Sequence, residues 1–393
     1  MDIRFSIYDS IHLVRRTEWE IVSNEAAVYL SYDHLSALED IMMGSMVFRY
    51  AVFHDAQYRP VGIACFQVLD LEDNGSAYGE NVRGLGAVIG SRIIKELKVG
   101  SLVCGNVFHC GDHGAHFAQG IGRDEQLRVL EMAMDQLRAD KRLEPKVTVM
   151  LFKDLWPEPP DGARVLRDHG YHPLAMDVTM VMDLDPKWKN LADYQEALTS
   201  KARTRLKSIL GRSAAVGIKN MTAAEIRHSG PALQRLFDDV LQRSPFIFGR
   251  LKVGVYALWK AVLGDRLMFH GFYLHGDLIG FSSAFVQCGT LDAHFVGVDY
   301  ALNERYGTYQ RMLVDLLEFA LRKGLRQINF GRTAEQAKST IGARPVSMLF
   351  HVKHRNRVAN RIIGSFIHTV GPDEFERRSP FKKQVTVGTG PGR

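Results

Sequence analysis

The sequence predicts an α/β (α+β) chain of two tandem domains, each a mixed, largely antiparallel twisted sheet flanked by helices. Three observations predict this. The chain has 393 residues, too many for one ordinary core and suited to two of about two hundred. Hydrophobic residues make up 46% and charged residues 24%, the proportions of a globular protein. One order of elements, helix–helix, hairpin, strand, helix, strand, also runs twice at a spacing of nearly half the chain. Residues 1–185 and 186–375 are the expected domains, Lys187–Asp193 the linker, and 376–393 a flexible basic tail with Arg377, Arg378, Lys382 and Lys383.

In the first half, 48–53 (FRYAVF) reads as a strand, 54–57 as a turn, and 61–71 (VGIACFQVLDL) as its antiparallel partner. Helical periodicity covers 87–97, a strand 101–108, and a helix 124–140 with Leu127, Leu130, Met134 and Leu137 on one face. Residues 147–152 form a short buried strand, 166–171 a helix end closed by Gly170, and 177–184 a final strand. The second half repeats the order. A helix spans 191–210, a strand 216–219, and a helix carries Leu233, Leu236 and Leu241. Residues 267–274 and 278–287 flank the turn His275-Gly276-Asp277, followed by a strand at 291–298, a helix at 308–322 closed by Gly324, and a strand at 326–330.

The net charge of +6 hides an asymmetry: residues 1–185 hold 18 Lys+Arg against 28 Asp+Glu (net −10), and residues 186–393 hold 32 against 16 (net +16). A basic half suits a polyanionic partner such as a phosphorylated cofactor, an RNA or an anionic lipid surface. The acidic half argues against a chain that coats nucleic acid, so no DNA partner is expected. No apolar run reaches the roughly 20 residues of a membrane span, and the first residues lack the pattern of a signal peptide. Cys65, Cys104, Cys110 and Cys288 lie in strand-like segments without a framework spacing, which reads as buried free thiols in a reducing cytoplasm.

The chemistry concentrates in 291–331. A strand ends in a polar loop, 299–307, that opens into an amphipathic helix. At such a junction, unpaired amide N–H groups and the positive end of the helix dipole converge on a phosphate. Gly307 lets the backbone approach closely, Arg305 and Arg311 add charge, and Gly297 suits a bulge or splay that frees backbone groups for an extended ligand.

The hairpin, the splayed strand and Asn303-Glu304-Arg305-Tyr306-Gly307-Thr308-Tyr309 resemble the coenzyme A core of the GNAT acetyltransferase superfamily. The loop keeps a basic residue and one glycine of Arg/Gln-x-x-Gly-x-Gly/Ala but loses the second glycine. The stretch 194–203 (YQEALTSKAR), and Phe330-Gly331-Arg332-Thr333 with Ala337-Lys338 and Gly342-Ala343, are similar to the BioF2-like/FemAB-type branch, whose members have two tandem GNAT-like domains. The resemblance covers the C-terminal half. It implies N-acyl transfer from an acyl-CoA (acetyl-CoA or longer) to an amine, of a small molecule or a cell-envelope precursor. The second choice is a Fem-like transferase with aminoacyl-tRNA as donor, and the third a non-catalytic module. The long helical hairpin that often serves the Fem branch as a tRNA arm has no counterpart in the sequence.

Amine acylation needs a base, donors for the oxyanion and a proton for the leaving thiolate. Backbone N–H groups near Val296 and Val298 would serve the carbonyl, with Arg305, Tyr306, Gly307 and Thr308 completing the cofactor contacts. His294 or Asp292, two residues apart on one strand face, is a candidate base; a hydrogen-bonded pair on a solvated face fits the pattern equally. Tyr309 is a candidate acid, with core packing as its alternative. Arg332 and Lys338 match the Fem-type positions that contact the donor or the acceptor's phosphates, and read otherwise as solvated charges. Lys201, Arg203, Arg205 and Lys207 form a basic helix stripe. His109, Cys110, Asp112, His113 and His116 have metal-ligand chemistry but no zinc spacing, so a loop lining a groove is preferred and no metal is expected. The N-terminal domain is expected to be non-catalytic.

Overall fold

The computed structural model describes residues 2–69, 100–143, 146–156, 163–175, 178–244, 249–367 and 375–382. The helix expected over 87–97 lies outside these residues. The chain divides into two compact units, one of 1–177, 244–255 and 347–372, the other of 178–243, 256–346 and 373–393.

The strands in chain order are β1 (Arg4–Tyr8), β2 (Val47–His54), β3 (Pro60–Leu69), β4 (Ser101–Cys104), β5 (Ala115–Phe117), β6 (Val149–Leu155) and β7 (His172–Leu174). There follow β8 (Val178–Asp183), β9 (Val216–Asn220), β10 (Leu267–Leu274), β11 (Asp277–Gln287), β12 (Thr290–Val298), β13 (Gln327–Asn329), β14 (Arg344–Ser347) and β15 (Leu349–His354). One sheet runs β1-β2-β3-β4-β6-β15-β7, with β5 also on β3, and the other β14-β8-β13-β12-β11-β10-β9. Each contains a parallel pair, β4 with β6 and β12 with β13, crossed over by the helices Arg123–Ala139 and Thr308–Arg322. Parallel neighbours require such a crossover.

The units interleave along the chain where the sequence reading draws one cut after residue 185. β8, read as the last strand of the first half, pairs with β13 in the second sheet. β15 pairs with β6 in the first, and the helix Arg357–Phe366 follows it there. Composition carries no sign of this exchange, because a buried strand has the same alternation in either sheet.

The 308–322 helix anchors the second unit. Met312, Leu313, Leu316, Leu317 and Ala320 recur on one face and are buried; a fully buried Leu or Met contributes about 1.5–3 kcal/mol. The single helix expected over 191–210 is two, Leu191–Ala197 and Ser200–Arg212, because the Thr199 hydroxyl accepts from Ala202 N and restarts the helix. Gly342, at φ +106°, leaves room for the Phe381 ring, which a Cβ there would meet at 2.4 Å. Phe381 stacks on Trp188 and bridges Leu198, while Thr199 N donates to Pro380 O and Arg378 N to Ser339 Oγ. Residues 378–382 are thus pinned to the second unit by an aromatic insertion, in contrast to the flexible tail expected from 376 on; residues 383–393 lie outside the described residues. Cys65 and Cys104 are buried, Cys110 partly so, and Cys288 exposed in the β11–β12 turn, so burial holds for two of the four.

Candidate active site

β12 carries the centre of the site in the second unit. Its parallel ladder with β13 ends at Asp292↔Asn329, and β12 runs on to Val298 along β11 alone, so the two strands part. The antiparallel register with β11 also slips here. Ala293 opposes Ala284 and Val296 opposes Ser282, which leaves His294 and Phe295 opposite the single residue Ser283. This is a β-bulge, which bends a strand and re-aims its side chains. The sequence reading placed a bulge at Gly297. Gly297 instead serves packing, since a Cβ there would lie 2.3 Å from the Phe281 ring and 2.8 Å from Leu236 Cβ.

The bulge turns His294 into an aromatic enclosure of Tyr256, Trp259, Phe285 and Phe295. Tyr256 and Trp259 project from one face of the helix Val255–Leu263, and both are fully buried. Tyr256 Oη lies 2.5 Å from His294 Nδ1 and 2.9 Å from Ser283 Oγ, and Ser283 Oγ lies 2.8 Å from the Phe295 carbonyl oxygen. Burial raises the Tyr256 phenol far above its usual range, so it stays protonated at any working pH. Tyr256 and Ser283 were missed in the sequence; in an apolar VYALW stretch the tyrosine reads as core. Asp292, buried, accepts from Gln287 Nε2, and the hydroxyl at His294 Nδ1 is that of Tyr256.

The expected polar loop 299–307 contains a helix of its own, Tyr300–Tyr306, because the Asp299 carboxylate caps the amides of Ala301 and Leu302. Gly307 closes it in the left-handed conformation (φ +62°) and begins the 308–322 helix at once. The first turn is only partly bare: Tyr309 N donates to Asn303 Oδ1 at 2.8 Å. Beside it the Arg212 guanidinium stands 3.0 Å from where a Gly307 Cβ would be, and Thr308 Oγ1 is buried without a hydrogen-bond partner among the described residues. Arg212, Arg205 and Arg378 lie close enough for the charges of Arg378 and Arg212, after burial, to lower the Arg205 pKa. Arg212 was not singled out in the sequence. Arg305 is exposed over the Tyr306 ring, and Arg311 pairs with Glu318. Val296, Val298, Tyr306 and Tyr309 all pack in one apolar cluster under the helix. Burial raises the Tyr309 phenol, which makes it a poor proton donor to a thiolate.

Lys338 is buried, and its ammonium donates to the carbonyls of Gly331 (3.2 Å) and Arg332 (2.5 Å). It braces the turn after β13, where Gly331, Thr333 and Ala334 all have positive φ. Its burial rules out the solvated reading. Arg332 is half-buried in that turn.

The first unit has the same point of departure and a different filling. Phe66 opposes Cys104 and Ala64 opposes Ala115, so ten residues, 105–114, loop out opposite Cys65. Buried Lys153 donates to His109 O at 2.5 Å and pairs with Asp154, whose Oδ2 accepts from Gly111 N. His109 stacks on Tyr29 and lies 3.0 Å, Nε2 to Nε2, from His34, while Asp112 pairs with Arg123. Among the described residues no group of three or more His, Cys, Asp or Glu is placed to hold a metal ion. None of their helices is long and apolar enough to cross a membrane.

Residues 200–339 match the family described as an acetyltransferase (GNAT) domain. No curated protein matches the chain in sequence. Among solved structures the chain is similar to FemX, at 9% identity over 93% of this chain and 100% of that one (TM-score 0.57). It is also similar to a tandem GNAT protein from the clavulanic acid biosynthesis pathway, at 11% over 90% and 99% (TM-score 0.52). A third is L-PGS from Bacillus licheniformis, at 12% over 86% and 93% (TM-score 0.50). At these identities the likeness is one of fold. Residues 200–339 thus carry an acetyltransferase (GNAT) domain, and the chain as a whole has the tandem GNAT-like fold seen in these structures.

Proposed function

We propose that the second unit transfers an acyl group from an acyl-CoA thioester to an amine, with His294 as the base. The observation that carries this reading is the bulge that sets a histidine at the parting of β12 and β13, held by a buried hydroxyl. The Gly307 turn fits the carrier's pyrophosphate: it offers a guanidinium (Arg212), a glycine without bulk, and a buried hydroxyl in need of a partner (Thr308). β12 beyond Asp292 leaves one backbone edge for the pantetheine amides and, near Val296 and Val298, for the carbonyl oxygen.

His294 takes a proton from the amine, whose nitrogen attacks the thioester carbonyl. The oxyanion is held by backbone N–H groups, and the collapsing intermediate breaks the C–S bond. The departing thiolate receives the proton that His294 carries, so base and acid are one group and Tyr309 is not needed. The first unit is proposed to be non-catalytic, because its own residues 105–114 stand where the second unit has its bulge. Arg332 and Lys338 are proposed to shape the substrate turn through the backbone. A cell-envelope precursor as the amine follows the resemblance of the C-terminal half to the FemAB-type branch, and a cytoplasmic setting follows the free cysteines.

Thermal stability against a panel of acyl-CoAs tests the donor. At a hundredfold excess over Kd the bound form gains about 2.7 kcal/mol, which raises Tm by roughly 5–10 °C for a unit of this size. Thiol release on adding amines then tests the transfer, and His294→Gln should abolish it. No shift with any acyl-CoA, together with salt-sensitive tRNA binding, would favour the aminoacyl-tRNA donor that the basic second half also suits.

A further inference from the structure

We propose that the helix Arg357–Phe366 is a docking surface for an anionic lipid bilayer. Its residues fall into two stripes of helical spacing. On the inner stripe, Ile363 and Ile367 are buried, and a Cβ on Gly364 would lie 2.3 Å from the His172 ring. Asn360 Nδ2 donates to Gly170 O at 2.9 Å, while its Oδ1 accepts from His354 N at 2.8 Å. These contacts clamp the helix against the ends of β7 and β15 and leave its other face to solvent. That outer stripe carries Val358, 70% exposed, and Ile362, 54% exposed, one turn apart, and then exposed Ser365. Arg357 and Arg361 stand beside them, and Arg355 precedes the Asn356 cap; all three are exposed.

Charge selects the partner. Between Gln336 and Pro372 the sequence has no Asp or Glu. Among the described residues the guanidiniums of Arg355, Arg357 and Arg361 have no ion pair or hydrogen bond. Lys353, a few residues earlier, does have a carboxylate, that of Glu131. Three unneutralised cations around two bare aliphatic side chains suit a helix that lies in a membrane interface. The aliphatics enter the boundary of headgroups and acyl chains, and the arginines reach lipid phosphates at the rim. Each cation near such a surface contributes about fivefold in partitioning, so the three together contribute about a hundredfold. Against a folded protein the face offers little, because two aliphatic side chains fall far short of the roughly 800 Å² per partner of a stable interface. A bilayer needs no matching groove.

The full chain should cosediment with vesicles of phosphatidylcholine mixed with phosphatidylglycerol and not with phosphatidylcholine alone, and added salt should release it. Arg357→Gln with Arg361→Gln should weaken partitioning about twenty-five-fold, and Val358→Gln with Ile362→Gln about tenfold. Both double variants should keep the wild-type Tm, because the side chains are exposed, and the wild-type turnover of a soluble amine, because none of them enters the acyl-transfer reaction. Absence of binding to the mixed vesicles overturns the proposal. So does binding that both double variants retain, which would put the contact on another basic surface such as the stripe at 201–207. Binding that needs the arginines and ignores the aliphatics would mark a site for a soluble polyanion and also overturn it. A monomer–dimer equilibrium abolished by Val358→Gln with Ile362→Gln, without vesicle binding, would give the face to a second copy of the chain instead.

Discussion

The first unit should come apart in mild acid through two histidines buried as neutral rings. Burial, then the charge of Lys153, lowers His113 to about 4. Burial, then the charges of Arg167 and Arg123, lowers His351 to about 4, and its Nδ1 is buried without a hydrogen-bond partner among the described residues. The ordinary value is about 6.5, so the unfolded chain takes up protons first as pH falls. Stability from these groups is whole above about pH 6.5, is lost between 6.5 and 4, and is flat below. A shift of that size corresponds to about 3 kcal/mol. His113 keeps some exposure, so about 2 kcal/mol suits it better, and the pair removes roughly 5 kcal/mol, comparable with the whole stability of a small domain. His116, also lowered by burial, adds to the loss, and Asp112, whose carboxyl burial raises, opposes it at the acid end.

The assay is urea unfolding at pH 7.0 to 4.5, followed by the fluorescence of fully buried Trp19 with the other tryptophans replaced by Phe. The slope should approach about 2.7 kcal/mol per pH unit in mid-range, two protons' worth. His113→Gln or His351→Gln should each roughly halve it. A double variant that keeps the wild-type slope would refute the reasoning, because the protons would then be entering elsewhere.

Three further outcomes follow from the second unit. Arg212→Gln should weaken acyl-CoA binding about tenfold or more with kcat little changed, measured by calorimetry and turnover, because it removes a guanidinium beside Gly307 and no group at the bulge. Lys338→Met should cost about 1–3 kcal/mol in urea unfolding, since two carbonyls of the 331–334 turn lose their donor. Phe381→Ala should cost about 2 kcal/mol, less than a fully buried phenylalanine, and should speed amide exchange at Thr199, whose N–H is held by Pro380 O.

What the sequence revealed followed from periodicity, and what it hid followed from register. The 308–322 helix and the β10–β11 hairpin were legible to the residue or nearly so, because an apolar stripe and a His-Gly-Asp turn are local signals. The break at Leu198-Thr199 was hidden, since helix periodicity runs through it and only the threonine cap stops it. The exchange of β8 and β15 was invisible for a deeper reason: which sheet a strand joins depends on long-range pairing that leaves no trace in its own alternation. At the site, His294 and Gly307 could be found by residue type and junction, whereas Tyr256, Ser283 and Arg212 arrive from three separate elements. Lys338 reads from the sequence as a lysine that contacts the donor or the acceptor, or else as a solvated charge, and only the turn's positive φ values show why an ammonium is needed beside its carbonyls.

The two units show how one backbone irregularity can be taken in opposite directions. In both, the strand of the parallel pair steps out of register opposite one residue of its hairpin neighbour: Ser283 in the second unit, Cys65 in the first. Two residues opposite one suffice to turn a histidine and a carbonyl toward one serine. Ten residues opposite one must satisfy their own backbone groups, which is the task of Lys153 and Asp154, held at 2% and 0% exposure. A buried lysine–aspartate pair is a costly way to fill space unless its hydrogen bonds are complete, and here they go to the loop's own His109 carbonyl and Gly111 amide. The same step in register therefore leaves an edge for a ligand in one unit and ties up that position in the other. If so, shortening 105–114 to two residues with Lys153→Leu and Asp154→Asn should leave a folded first unit and add a second acyl-CoA site by calorimetry; a folded variant with the single site unchanged would refute the argument that the loop is what keeps the first unit from binding.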